Sequence, residues 1–215
     1  MFHRIFSLKT KNYTPDVILD LGAHHGSWTD QVLQIYNKSK YYLFEAIDYR
    51  QLDRFKVSNQ FTVNNLILND KVEIVDWFEM QNTGDSMFKE LNHPFKNCNS
   101  IKKNSTTLDL YFENEDFQNK SIFIKIDCQG AEIPILKGAT KLLKNTDFIL
   151  LEIPCFGQYN AGVPNFMEHI RFMESIGFII YDIVDHHYIY DYLMQIDVIF
   201  IKKNHGFNDL VQKFS

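Results

Sequence analysis

The stretch VILDLGAHHGSW, residues 17–28, is an apolar run that ends in an acid, Asp20, and breaks into a glycine-flanked turn. Gly22 and Gly26 let the backbone come close to a ligand, with Ala23 and His24 between them. A second acid, Glu45, lies in the next apolar run, YYLFEAI, with Ala46 beside it. A carboxylate at that position can accept two hydrogen bonds from a ribose diol. Asp127 ends IFIKID, and Glu152 sits inside FILLEIP, where a carboxylate is costly unless it is paired or faces a crevice. His186 and His187 follow in DHHYIYDYLM. Histidine titrates near neutrality and suits a general base, although exposed loop histidines fit the same pattern. The chemistry on offer is proton transfer next to a bound nucleoside.

The elements that must position these residues alternate strand with helix. The apolar runs are 16–21, 41–47, 61–68, 122–127, 148–154, 178–184 and 195–203. Several are continuously apolar, as strands covered on both faces are. Helical spacing joins Trp28, Val32, Ile35 and Tyr36, and again Phe166, Met167, Ile170 and Met173, which Gly177 closes. A third helix is expected from about Ala131 to Lys144, with Pro134 in its first turn. The last two strands have only DHHYIYDYLM between them and pair most easily antiparallel. The expected fold is therefore α/β: a Rossmann-like, seven-stranded, mostly parallel sheet with one antiparallel strand and helices on both faces. No repeat or linker divides the chain, so residues 1–215 are expected to form a single domain with its core at about 16–203. Residues 71–107 interrupt the alternation as an insertion or lid, in which Trp77, Phe78 and Phe88 either cover a site or pack beneath it.

Ligands of open α/β sheets sit at the carboxyl ends of the strands. A dinucleotide turn needs G-x-G-x-x-G, and here His24 stands between Gly22 and Gly26, a poor cradle for pyrophosphate. S-adenosylmethionine has no phosphate and carries a sulfonium and an ammonium. A turn that combines glycine with Asp20 suits it better on charge. Glu45 serves an adenosine ligand of either kind.

ILDLGAHHG, LFEAID and above all FIKIDCQGAEIPILKGATKLLKNTDFILLEI resemble the FkbM family of S-adenosylmethionine-dependent methyltransferases, over about residues 16–202. The opening motif is common to many methyltransferases, and the KID-x-x-GAE block is the specific one. The resemblance implies a class I methyltransferase fold, S-adenosylmethionine as cofactor and O-methylation of hydroxyl groups, often on sugars or glycosylated small molecules. The chain departs from the family pattern at His24, where Asn is usual, and at Gln129, where Glu is usual. The second change replaces a charge with an amide.

On this reading Asp20, Gly22, Ala23, His24, Gly26, Glu45, Ala46 and Asp127 hold the cofactor. Asp127 is the first candidate for the methyl-transfer centre, with helix capping as its other reading. Glu152 and His186 are further catalytic candidates. Glu132, in the first turn of the expected helix, reads as an acid favoured by the helix dipole. Gln129, Tyr159, His187 and Tyr188 are placed at the acceptor, where tyrosine rings stack on sugars or simply pack on neighbouring strands. His186, Asp127 and Glu152 match no compact metal-ligand motif, so no metal is expected. The remaining readings are a catalytically inactive adenosine-binding module and a nicotinamide-dependent oxidoreductase.

Bulk properties narrow the classes. Apolar residues make up 45% of the chain and charged residues 23%, as in an ordinary globular domain. The net charge of −5 argues against nucleic acid as a partner. Cys98, Cys128 and Cys155 form no C-x-x-C pair and fit a reducing compartment. No apolar stretch has the length of a signal sequence or a membrane span, so a cytoplasmic location is expected.

Overall fold

The computed structural model describes residues 1–79, 84–91, 98–156 and 160–207. Seven strands form the main sheet in the order β3-β2-β1-β7-β8-β10-β9. They are β1 (Val17–Leu21), β2 (Lys40–Phe44), β3 (Phe61–Asn64), β7 (Ile122–Ile126), β8 (Thr146–Pro154), β9 (Phe178–Ile189) and β10 (Tyr192–Lys202). β1 pairs in parallel with β2 and β7, β2 with β3, and β7 with β8. β10 runs antiparallel to both β8 and β9 and is the reversed strand.

Two apolar layers cover the sheet. On one face Leu19, Ile124, Leu151 and Val198 pack with Leu108 of α3 (Leu108–Tyr111), Ile135 and Leu136 of α4 (Glu132–Lys137) and Met173 of α5 (Phe166–Ser175). On the other, Ile18, Phe123, Leu150 and Ile199 pack with α1 (Phe2–Thr10) and α2 (Ser27–Ile35). Alternation along a strand places every second residue on the same face. On the α1–α2 face that series changes from apolar to charged near the site. Ile18 is followed by Asp20, Phe123 by Lys125 and then Asp127, Leu150 by Glu152, and Ile199 is preceded by Asp197. The same alternation that builds the core thus sets a charged row at the strand tips.

Four local expectations are corrected. Residues 61–68 are not one strand. Asn64 and Asn65 donate from their side-chain amides to the carbonyls of Leu43 and Glu45. The chain then leaves the main sheet as β4 (Ile67–Leu68), which joins β5 (Ile74–Phe78) and β6 (Ser100–Thr106) in a three-stranded sheet of order β4-β6-β5. The helix expected to reach Lys144 ends at Lys137. A Cβ on Gly138 would lie 2.3 Å from the Asn69 carbonyl oxygen, and Asp109 accepts the N–H groups of Lys141 and Leu142 and restarts the chain as a 3-10 helix, Leu142–Asn145. DHHYIYDYLM is no loop: β9 runs to Ile189 and turns through Tyr190 and Asp191. Both have positive φ, 47° and 65°, as a two-residue hairpin turn requires. On α5, Met167 is exposed and His169 is buried instead, beneath the capping box that Asn165 and Glu168 form.

Candidate active site

A cavity of about 650 Å³ opens at the carboxyl ends of the parallel strands. A smaller one of about 190 Å³ adjoins it and shares Gly22, His24, Asp127, Glu152 and Asp197. The turn after β1 lines both, through Gly22 and His24. A Cβ on Gly22 would fall 1.9 Å from the Asp127 carbonyl oxygen, so only glycine lets this turn pack on the tip of β7.

Glu45 lines the larger cavity and braces the same turn. It accepts the His24 N–H at 2.7 Å and the Ile47 N–H at 3.0 Å. Burial raises its pKa, and those two donors oppose the rise. His24 stacks on His25 with ring centroids 3.8 Å apart, and Tyr49 meets both rings edge-on. Burial and the neighbouring His25 lower the pKa of His24 and favour a neutral ring.

Asp20, expected at the ligand, lies beneath the turn and lines neither cavity. It is fully buried, accepts from Thr29 Oγ1 at 2.6 Å and pairs with Lys125 Nζ at 3.0 Å. Lys125 also donates to the Gly22 carbonyl at 2.7 Å and lies 3.8 Å from Asp127 Oδ2. Burial alone would lower the pKa of Lys125, but Asp20 and Asp127 outweigh it and hold the ammonium above the usual lysine value. Gly26 also lines neither cavity. It caps α2 in the left-handed region, φ 78°, against Phe55. Ala23 is in the smaller cavity and Ala46 in the larger.

Beyond Lys125 the register sets acids side by side. Glu152 is opposite Asp197, and Asp197 opposite Asp185. Gln129 joins Asp127 to this row, its amide donating to Asp127 Oδ1 at 3.1 Å and to Glu152 Oε1 at 3.5 Å. Gln195 donates to Glu152 Oε1 at 2.5 Å. Gln129 and Gln195 thus set amide donors among the acids. Glu152 is pushed well above the usual carboxyl range by burial and by Asp127, Glu132 and Asp197. Burial, Asp127 and Asp185 raise Asp197 to about 6. Glu132 is buried at the start of α4, where it accepts the N–H groups of Cys128 and Gly130, and burial raises it to about 7.

His186 and His187 both line the larger cavity from β9, where His187 is opposite Gln195 and His186 opposite Ile196. Tyr188 does not line it and is 57% exposed on the edge strand. Tyr159 lies outside the described residues. Among the described residues, no group of three or more His, Cys, Asp or Glu side chains is arranged to hold a metal ion. Sequence reasoning missed Lys125, Asp185, Gln195, Asp197 and Tyr49. The available signal was period two: Lys125, two residues before Asp127, shares its face of a strand otherwise buried on both sides.

The sheet order and the cavity at the strand tips define the Rossmann-like fold of class I methyltransferases. Solved structures support that assignment. The 1,6-didemethyltoxoflavin-N1-methyltransferase of Burkholderia thailandensis, solved with bound 1,6-didemethyltoxoflavin and S-adenosylhomocysteine, superposes with a TM-score of 0.53 at 8% identity, over 94% of this chain and 78% of that one. The magnesium protoporphyrin IX methyltransferase of Synechocystis PCC 6803, solved with S-adenosylmethionine, gives 0.51 at 9% identity over 94% and 77%. An FkbM methyltransferase from Methylobacillus flagellatus KT gives 0.54 at 15% identity over 86% of this chain, which spans 43% of that structure's length. No curated protein sequence matches the chain. The family model described as the methyltransferase FkbM domain matches residues 20–180, and the chain belongs to that family.

Proposed function

We propose that the protein is an S-adenosylmethionine-dependent O-methyltransferase whose acceptor is a sugar hydroxyl of a glycan or glycoconjugate. The observation that carries this reading is the row of acids beside a turn that holds no phosphate-binding loop. Buried like charges are costly, and a cationic ligand beside them relieves that cost where a pyrophosphate would add to it. The donor set fits the cofactor: Glu45 for the ribose diol, apolar Ala46 and Ile47 next to it for the base, and Asp127 for the cationic end. The smaller cavity, bounded by Ala23, His24 and Ser27 at the start of α2, suits the methionine tail.

When bound, S-adenosylmethionine supplies an activated methyl group on its sulfonium sulfur. The chain's own part is to align, to exclude water and to take a proton. Asp127, held by Lys125 and Gln129, fixes one side of the centre. Asp197, raised to about 6, is a stronger base than a free carboxylate and still ionises near neutrality, so it fits the acceptor's hydroxyl proton. Glu152 opposite it, pushed well above the usual carboxyl range, fits as a proton-bearing hydrogen-bond partner. His186, His187 and Gln195 offer further hydrogen-bonding groups toward hydroxyls. Mass spectrometry of glycans made with and without the intact gene tests this reading. A gain of one methylene on a defined sugar supports it. Identical glycans, together with methyl transfer to a nitrogen or carbon acceptor in a substrate screen, would refute the O-methyl assignment.

A further inference from the structure

Gly22, His24, Asp127, Glu152 and Asp197 line both cavities and mark the seam between them. Of the four side chains there, three are carboxyl groups and one is an imidazole. Among the described residues, His25 lines only the smaller cavity, and His186 and His187 only the larger. His24 is half-buried and held in place. Its N–H donates to Glu45 at 2.7 Å, its ring stacks on His25 with centroids 3.8 Å apart, and Tyr49 meets both rings edge-on. A stacked imidazole pair resists a second charge, because two cations at that separation repel. Around the ring stand Glu45 and Tyr49 from the end of β2 and the loop after it, His25 in the same turn, Lys125 and Asp127 from the end of β7, and Asp85 from the cavity wall. Arg54 donates to the His25 carbonyl at 2.8 Å. Burial, His25 and Lys125 favour the uncharged ring, and Asp127 and Asp85 oppose them.

We propose that His24 discriminates the charge on the cofactor's sulfur: its uncharged ring admits the sulfonium of S-adenosylmethionine at the seam, and its protonated ring turns the site toward uncharged S-adenosylhomocysteine. This rests on the S-adenosylmethionine reading, with the ribose at Glu45 and the amino-acid tail in the smaller cavity. The sulfur joins those two parts, so it crosses the seam. An uncharged ring leaves the neighbouring acids to balance the sulfonium, whereas a protonated one competes with it for them. Methyl transfer converts the sulfonium to a thioether and removes that competition. His24 therefore separates the loaded donor from the spent product by charge alone.

Calorimetry of both ligands at pH 7.5 and pH 5, on the wild type and on His24→Asn, tests this. Asparagine carries no charge and adopts a positive φ, 47° at this position, as readily as histidine. From pH 7.5 to pH 5 the wild type's preference for S-adenosylmethionine over S-adenosylhomocysteine should fall about tenfold further than that of His24→Asn, which keeps the same acids. Coupling between proton and ligand is reciprocal. The His24 ring, followed by NMR and assigned from the His24→Asn spectrum, should therefore titrate at lower pH with S-adenosylmethionine bound than with S-adenosylhomocysteine bound. A preference that changes equally with pH in both proteins, or a ring that titrates alike with both ligands, would overturn the proposal. Absence of binding of either ligand to the wild type would overturn the cofactor reading on which it rests.

Discussion

Replacing Asp197 with asparagine should stabilise the protein above pH 6 and leave it unchanged near pH 4. Asp197 stands opposite both Glu152 and Asp185, and burial with Asp127 and Asp185 raises its carboxyl from 3.8 to about 6. A raised folded-state pKa means that the group's favourable contribution is full below the unfolded value. That contribution is lost as pH rises through 6, because the folded protein then holds an ionised acid among like charges. The shift of about two units corresponds to ~3 kcal/mol at 1.36 kcal/mol per unit, and partial exposure of the carboxyl reduces it to ~2 kcal/mol. Asparagine is isosteric and carries no charge, so Asp197→Asn should recover that amount at pH 7.5. For a chain of this size that is a rise in Tm of about 4–8 °C. Differential scanning fluorimetry of both proteins from pH 4 to 8 reads it directly. A gain that is the same at every pH would mean that packing and not charge is responsible. No gain at pH 7.5 would refute the raised carboxyl.

The other expected outcomes follow from the same geometry. Asp127→Ala should lower kcat by about 10²-fold through lost positioning with little change in Tm, since the Asp127 side chain is 41% exposed and lies 3.8 Å from Lys125; a variant with wild-type turnover would remove Asp127 from the centre. Glu45→Ala removes the acceptor of the His24 and Ile47 N–H groups as well as the proposed ribose contact, and should weaken S-adenosylhomocysteine by about 10–100-fold in calorimetry; unchanged affinity would misplace the ribose. Lys125→Met leaves Asp20 buried without its cation and should cost about 3 kcal/mol or more in urea denaturation; a neutral result would show that Thr29 alone satisfies Asp20. With Asp197 at about 6 as proton acceptor, turnover should rise with pH through that value and flatten above it, and a profile falling over pH 5–7 would contradict the assignment.

Much of this arrangement can be read in the amino-acid order because burial on both faces writes itself as contiguous apolar residues. β1, β7 and β8 have that property, and the turn at Gly22 and the acids Glu45, Asp127 and Glu152 end or interrupt such runs. Residues 61–68 read as one strand because nothing in FTVNNLIL marks the point at which Asn64 and Asn65 trade ladder bonds for side-chain bonds to Leu43 and Glu45. The early end of α4 depends on Asn69, distant in sequence from Gly138. Asp20 looked like a ligand acid because its partner Lys125 comes from another strand, and only the β1–β7 register, which sets Asp20 beside Lys125, shows that the pair neutralises itself. The row from Asp127 to Asp185 likewise exists only once β10 is placed between β8 and β9.

A crystal structure of the protein with S-adenosylhomocysteine tests the proposed site most directly. The ribose hydroxyls are expected on Glu45 and the sulfur close to Asp127, with the amino-acid tail entering the smaller cavity at the start of α2. Density for that nucleoside anywhere else, or with its ribose away from Glu45, would contradict it.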